Sequence, residues 1–469
     1  MAGRTREPNR RLAAVMQESG MSNKGLARRI VDATASWKEP LRADHNDVRK
    51  WLDGMTPKEP KPRVIADVLS AKLGRRLSLD EIGFDAAGAD TDAGDTLVAD
   101  GLTYQPEPTR AVDLLHELTD ADLIDRRGIV KATWKQDVAP QIITGYMYAS
   151  AVLLEPDEDG PPRGAAAAAR IRRTTANLMD LDFQFGGGHT RRMLIQFFRD
   201  QVVPLLRRHH PEPIRKQIFG AAAEVAQLLG WSAYDAGRHG VAMRYFTQGL
   251  RLAREAGDHL LGGRMLSSLS HQANYLGRFN DAVTFARAAQ SATFGHATNT
   301  ITALFLAHEA RGLASLRDKR ATSATLHRAE AAFEGRDPSK DPEWSAYFDR
   351  LELAGEASHC FRDLGDGRQT KAFVAQAIDP VLTPPRTRAF VQMVSAAGSL
   401  ADGDAHEAVA LATEAVDLAD GLQSARYLRY LTDFYRSLGR AGVGGPLVDG
   451  FGQLLSSRYP KLPLAPSAA

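Results

Sequence analysis

The densest chemical grouping in this 469-residue chain is the octapeptide His45-Asn46-Asp47-Val48-Arg49-Lys50-Trp51-Leu52. Val48, Trp51 and Leu52 stand three and four apart. On a helix they share the inner face, and His45, Asn46, Arg49 and Lys50 turn outward. Asn and Arg make bidentate contacts to base edges, and Lys serves bases or phosphates. Asn23 and Lys24 follow Ser22, a good N-cap, at the predicted start of an earlier helix whose free N–H groups suit a phosphate. Lys58, Lys61 and Arg63 trail beyond Gly54 as candidate contacts to a nucleic-acid backbone. Trp51 itself reads as a core tryptophan that holds the helix rather than touching DNA; the competing reading for Arg49 and Lys50 is a plain solvated face.

The rest of the chain offers little catalytic chemistry. It contains no Gly-x-x-x-x-Gly-Lys-Ser/Thr, no His-Glu-x-x-His and no Gly-x-Ser-x-Gly. Gly186-Gly187-Gly188 follows no strand and precedes no Lys-Ser/Thr, so it reads as a turn between helices. His209-His210 has no Cys or carboxylate nearby at ligand spacing and reads as a helix end before Pro211. Cys360, in Ala-Ser-His-Cys-Phe, reads as a small core residue. Tyr234, His271, Asn274 and Tyr275 recur near the inner helices of successive repeats. They either line a ligand or partner pocket or hold register, and the sequence favours neither. The expectation is a non-enzyme with no metal and no cofactor.

The elements that must position these residues are helical. Hydrophobic residues make up 43% of the chain, enough for a large core and more than one domain. Ala, Leu, Arg and Glu recur at helical spacing, and runs of Val, Ile and Thr are scarce, so the class is all-α. Arg outnumbers Lys, 46 to 13, a bias typical of GC-rich bacterial genomes. A single cysteine forbids an internal disulfide, the N-terminal MAGRTREPNRR lacks the apolar core of a signal peptide, and no apolar run spans a bilayer. A cytoplasmic protein is the expectation, with no membrane contact. The net charge of +2 hides an asymmetry: residues 1–85 hold 17 Lys+Arg against 12 Asp+Glu, a net of +5, and the remainder nets −3. The basic part points to a polyanionic partner.

Residues 9–83 read as five short helices, the last opened by a capping box at Ser78-Leu79-Asp80-Glu81. With Leu26-Ala27 in helix two and Val48-x-x-Trp51-x-x-Gly54 at the end of helix three, this module resembles the Cro/repressor-like (XRE-type) helix-turn-helix domains. It departs from them in joining the two helices by ASWKEPLRAD rather than a tight turn. The likeness covers about one sixth of the chain. Residues 86–106, rich in Ala, Gly and Asp, read as a flexible linker, and 107–164 as a helical connecting segment.

From about residue 165 the chain repeats itself. Turns fall at Gly188, Gly237, Gly277, Arg317-Asp318, Gly365 and Gly403, between helices with small residues on one member and Ala plus an aromatic on the other. The frame resembles tetratricopeptide (TPR) repeats, about six helix pairs in an α-solenoid over 165–455, followed by a tail at 456–469. Through LARRI, RKWLDG, LGWSAYDAGRHG and SSLSHQANYLGR the whole layout resembles actinobacterial regulators of the Streptomyces type. More distantly it resembles the quorum-sensing receptors that pair a TPR domain with a DNA-binding head. The resemblance implies a sequence-specific regulator of transcription, often a repressor, that binds double-stranded DNA as a homodimer. It also implies that the concave TPR face senses a peptide, small molecule or protein effector. The alternative is a TPR scaffold whose N-terminal module binds no DNA.

Overall fold

The computed structural model describes residues 8–34, 40–58, 60–73, 77, 81–84, 101–126, 129, 134, 138–148, 163–185, 187–379, 381, 383–420, 422, 424–462 and 464. Every regular element among them is a helix, and no helix among them is long and apolar enough to cross a membrane. The chain forms two compact units, residues 1–96 and 97–469.

The first unit contains α1 (Arg10–Glu18), α2 (Asn23–Ala33), α3 (His45–Leu52) and α4 (Lys61–Leu73). Each is short, so its stability rests on packing an apolar stripe rather than on propensity. Leu12, Leu26, Ile30, Val48, Ile65 and Leu69 supply that stripe and are all essentially inaccessible. The expected capping box at residues 78–80 lies outside the described residues. The long connection between α2 and α3 lies partly outside them, at 35–39. Its exit is fastened where the Leu41 amide donates to Thr34 Oγ1 at 3.1 Å, and α2 packs directly on α3.

The second unit opens with α5 (Pro108–Leu123), α6 (Val138–Tyr148), α7 (Arg163–Phe185) and α8 (Gly187–Phe197), which runs through a π turn into α9 (Val203–Leu206). Six helix pairs follow: α10 (Glu212–Asp235) with α11 (His239–Ala256), α12 (His259–Tyr275) with α13 (Phe279–Ala292), and α14 (Asn299–Ser315) with α15 (Lys319–Glu334). Then come α16 (Arg350–Leu364) with α17 (Gly367–Ala377), α18 (Pro385–Ala401) with α19 (Ala405–Leu418), and α20 (Ala425–Arg440) with α21 (Pro446–Arg458). Each first helix touches the first helix of the next pair, so α10, α12, α14, α16, α18 and α20 form one inner layer of a helical-repeat array.

The turns explain the repeat frame. Gly237, Gly277, Gly365 and Gly403 all have φ between +76° and +89°, the left-handed conformation glycine adopts without penalty. Arg317 holds the equivalent position at φ +64°. In the later pairs an N-cap aspartate follows at once: Asp318, Asp366 and Asp404 each accept the N–H three residues on. Close packing inside a pair needs small residues as well. A Cβ on Gly230 of α10 would meet the Phe246 ring of α11 at 2.4 Å.

Two expectations change at the head of this unit. The linker expected over 86–106 lies outside the described residues as far as 100, but 101–106 are built into the core. Leu102 and Tyr104 are buried, Gln248 Nε2 donates to Gly101 O (2.9 Å) and Thr103 O (3.0 Å), and Arg251 Nε donates to Pro106 O (3.0 Å). The described residues of the segment expected only to connect, 107–164, share the core of the array through Val112, Leu115, Leu118, Trp134, Ile142 and Tyr146 among others. Buried Asp122 of α5 takes Arg191 of α8 at 2.6 Å and Arg238 of the α10–α11 turn at 2.8 Å, and Trp134 Nε1 donates to Asp281 Oδ2 at 2.8 Å. A buried carboxylate with two guanidinium partners fixes α5 against both helices.

Candidate nucleic-acid interface and interior of the array

Helix α3 is positioned at both ends. Asp44 is its N-cap: the carboxylate accepts from Asn46 N (2.8 Å) and Asp47 N (2.9 Å), and in return Asp44 N donates to Asp47 Oδ2 (3.2 Å). The bond from the Asp47 amide is the main cause that holds the Asp44 carboxyl below its ordinary range. At the other end Leu52 O accepts from Asn9 N at 2.8 Å. Asn9 is also the N-cap of α1, and its Nδ2 donates to Ile82 O (2.9 Å) and Gly83 O (3.2 Å). Sequence reading places Asn9 merely inside the first helix. Its role in tying α1, α3 and the 81–83 turn together depends on partners 43 and 73 residues away and carries no local signal.

Val48 (0% exposed) and Trp51 (3%) anchor α3 in the core. His45, Asn46, Arg49 and Lys50 are exposed on the opposite face. No described carboxylate pairs with Arg49 or Lys50, so both cations are presented to solvent. At the start of α2, Ser22 Oγ accepts from Gly25 N at 3.2 Å; Asn23 is half-buried there and Lys24 exposed. Lys58 is exposed and Lys61 half-buried at the start of α4. Arg63 lies within α4, and its side chain is outside the described residues. The face can therefore offer side-chain donors and acceptors to an edge, with cations beside them for a polyanion.

In the array, the residues read as pocket or packing come together. Tyr234 of α10 meets His271 of α12 through OH···Nδ1 at 3.1 Å, and its ring centroid lies 5.2 Å from that of Tyr275. Tyr234 is 1% exposed, so it is packed rather than presented; burial raises its phenol well above the ordinary value. His271, Asn274 and Tyr275 keep partial exposure. The cluster continues inward: Ser267 Oγ lies 2.6 Å from His308 Nδ1, His308 Nε2 lies 3.9 Å from Glu356, and Arg311 Nη1 donates to Glu356 Oε2 at 2.8 Å. Burial, and then the nearby Arg311 charge, holds His271 and His359 well below the usual imidazole range.

Helix α20 closes over this cluster. Arg426 lies over the Tyr234 ring at 5.5 Å and Arg429 over Tyr275 at 4.4 Å. Asp235 at the end of α10, 3% exposed on its side chain, takes Arg386 of α18 at 3.1 Å, Arg426 at 3.3 Å and the Ser424 hydroxyl at 2.9 Å. The first and sixth inner helices thus touch, and the inner layer bends back on itself.

The remaining candidates are structural in their contacts. Cys360 is buried beside Ala310, Ala314 and Leu326, and burial pushes its thiol up. His210 Nε2 pairs with Leu205 O at 2.9 Å. Gly187 and Gly188 belong to the first turn of α8, and Gly186 lies outside the described residues.

Residues 12–85 match the family described as the SP15 N-terminal domain, which leaves the whole helical array outside the match. No curated protein matches the chain.

Proposed function

We propose that the protein is a sequence-specific DNA-binding regulator of transcription, with α3 as its reading helix and the helical array as its dimerising and sensing part. The observation that carries the reading is the polarity of α3. Buried Val48 and Trp51 fix the helix, and His45, Asn46, Arg49 and Lys50 stand together on its free face. Arg49 and Lys50 beside an Asn on one exposed helix face suit a polyanion with hydrogen-bonding edges. A module this small buries too little surface for tight specific binding, so the reading includes a homodimer whose two heads share one operator.

The test is binding of the full-length protein to fragmented DNA of its own genome at two salt concentrations, with recovered fragments sequenced. A two-half-site motif that disappears in the Arg49→Ala/Lys50→Ala double variant is the expected result. For a base-reading Arg49, Arg49→Ala alone weakens the specific site by about 1–3 kcal/mol and relaxes one position. An equal loss on all sequences makes Arg49 a phosphate contact. Salt-sensitive binding with no enriched motif, or none at all, sinks the reading in favour of a protein-binding scaffold.

A further inference from the structure

Helix α3 has eight residues, and its last four carbonyls find no partner within the helix. Three are met by the turn that follows: Arg49 O accepts from Asp53 N (2.9 Å), Trp51 O from Gly54 N (3.2 Å) and Lys50 O from Met55 N (2.9 Å). The fourth, Leu52 O, accepts from Asn9 N at 2.8 Å. Among the described residues this is the one backbone hydrogen bond that reaches α3 from a distant part of the chain. Val48 and Trp51 keep the helix on the core, but apolar burial has no direction. A hydrogen bond has one, so the bond from Asn9 fixes the tilt of the end that carries Arg49 and Lys50.

Asn9 is itself held from two sides. Its Oδ1 accepts from Leu12 N at 2.9 Å, and its Nδ2 donates to Ile82 O (2.9 Å) and Gly83 O (3.2 Å). Gly83 leaves the room for this: it has φ +68°, and a Cβ there would stand 2.0 Å from Asn9 Oδ1. Little else backs the seam. A cleft of about 660 Å³ opens along it between Arg10, Met55, Thr56 and Phe84, and α3 packs on α2 more than on α1.

Reading a base edge and holding a phosphate make different demands on that tilt. A bidentate contact from Asn46 or Arg49 needs its two polar atoms placed to within about 0.5 Å. A lysine meets a phosphate as a point charge on a flexible stem and tolerates more. We propose that Asn9 is a positioning residue for the reading helix: through Leu52 O it sets the tilt of α3 at which Asn46 and Arg49 reach base edges, so that sequence preference depends on it and the general attraction to DNA does not. The inference rests on the DNA reading above and adds to it a residue that acts through α3.

The experiment uses the full chain and two duplexes of equal length, the motif recovered from the genome and its scrambled sequence, titrated at several salt concentrations. Asn9→Ser keeps an oxygen for Leu12 N and is too short to hold Ile82 O and Gly83 O. Gly83→Ala drives the Asn9 amide out from the other side. Val15→Ala is the control, since it opens a void in the core beneath α1 and leaves every tie of Asn9 in place. The first two variants each lower the preference for the motif over the scrambled duplex about tenfold, the discrimination that one bidentate base contact supplies. Their salt slope stays that of the wild type, and Val15→Ala keeps the full preference. Hydrogen exchange over α1–α4 shows that each variant is folded; if Gly83→Ala is not, Asn9→Ser decides. A preference kept within a factor of two in Asn9→Ser overturns this inference alone. So does an equal loss in Val15→Ala, which makes the effect one of stability. A wild-type protein that selects no motif overturns the DNA reading and this inference with it.

Discussion

Asp235→Ala should release α20 from α10. The carboxylate is 3% exposed and neutralises two guanidiniums that are themselves only 13% and 18% exposed. Removing one partner of a buried ion pair costs about 3–5 kcal/mol, mostly because the other charge is stranded. Both arginines keep some exposure here and can turn toward water, which places the cost near the lower end, about 3 kcal/mol. The Ser424 hydrogen bond at 2.9 Å is lost as well, worth about 1 kcal/mol. The effect should be local, since α20 meets α10 through Ser424 and Arg426 at this clasp and through Arg426 over the Tyr234 ring. Hydrogen–deuterium exchange resolved by peptide is the assay. A local opening made easier by about 4 kcal/mol in all speeds exchange in α20 roughly a thousandfold, while α12–α15 stay protected. Asp433→Ala is the control. Asp433 pairs with Arg429 and Arg436 but is 53% exposed, and such a pair contributes about 0.5 kcal/mol or less. If Asp235→Ala changes α20 exchange by less than threefold, or loosens all pairs equally, the clasp does not hold the two helices and the argument for a closed interior fails with it.

Two further predictions concern the same unit. Arg317 pays for φ +64° with a Cβ that glycine lacks, about 1–2 kcal/mol, against an entropic cost of about 0.5–1 for glycine, so Arg317→Gly should stabilise by roughly 0.5–1 kcal/mol. Gly277→Arg, at φ +76° with no atom within 4 Å of its Cβ position, should cost about 0.5–1 kcal/mol by the same balance, and urea midpoints of the two variants moving in the same direction would refute the account. Acid should weaken the interior. Burial holds His239 down to about 4, and His271 and His359 also stay neutral when folded, whereas unfolded imidazole titrates near 6.5. The unfolded chain therefore binds more protons, and stability is full above about pH 6.5 and falls as pH drops toward 4, by at most about 3 kcal/mol for His239. Glu352 runs the other way: with its carboxyl raised to about 8, its cost grows as pH rises from about 4.5 to 8, so Glu352→Gln should stabilise at pH 9 and change nothing at pH 4. Urea unfolding followed from pH 4 to 9 in both proteins checks the two signs.

The helices and turns were legible because their signals are local. The positive-φ turns at Gly237, Gly277, Gly365 and Gly403 announce themselves by residue type, and Arg317 is found by the frame although its type argues against it. The outward set on α3 follows from Val48 and Trp51 alone. Residues 101–106 were misleading because they are extended rather than periodic, and their burial depends on Gln248 and Arg251, about 145 residues downstream. The clasp at Asp235 was invisible for the same reason: Ser424 lies 189 positions away. Tyr234 was correctly placed near the inner layer, but no sequence pattern could show that α20 would return to cover it.

The contact between α10 and α20 fixes an arithmetic as well as a shape. An ordinary solenoid is a line with two free ends, and it gains or loses a repeat with little consequence beyond its length. Here the line meets itself, and the meeting works only when five steps along the inner layer bring Arg426 and Ser424 to Asp235. Inserting or deleting one pair would carry α20 past its seat or stop it short, stranding Asp235 and two arginines together. The number of repeats in this protein is thus set by a boundary condition, and its unfolding should be that of a hoop that opens at one joint rather than a rod that frays from either tip.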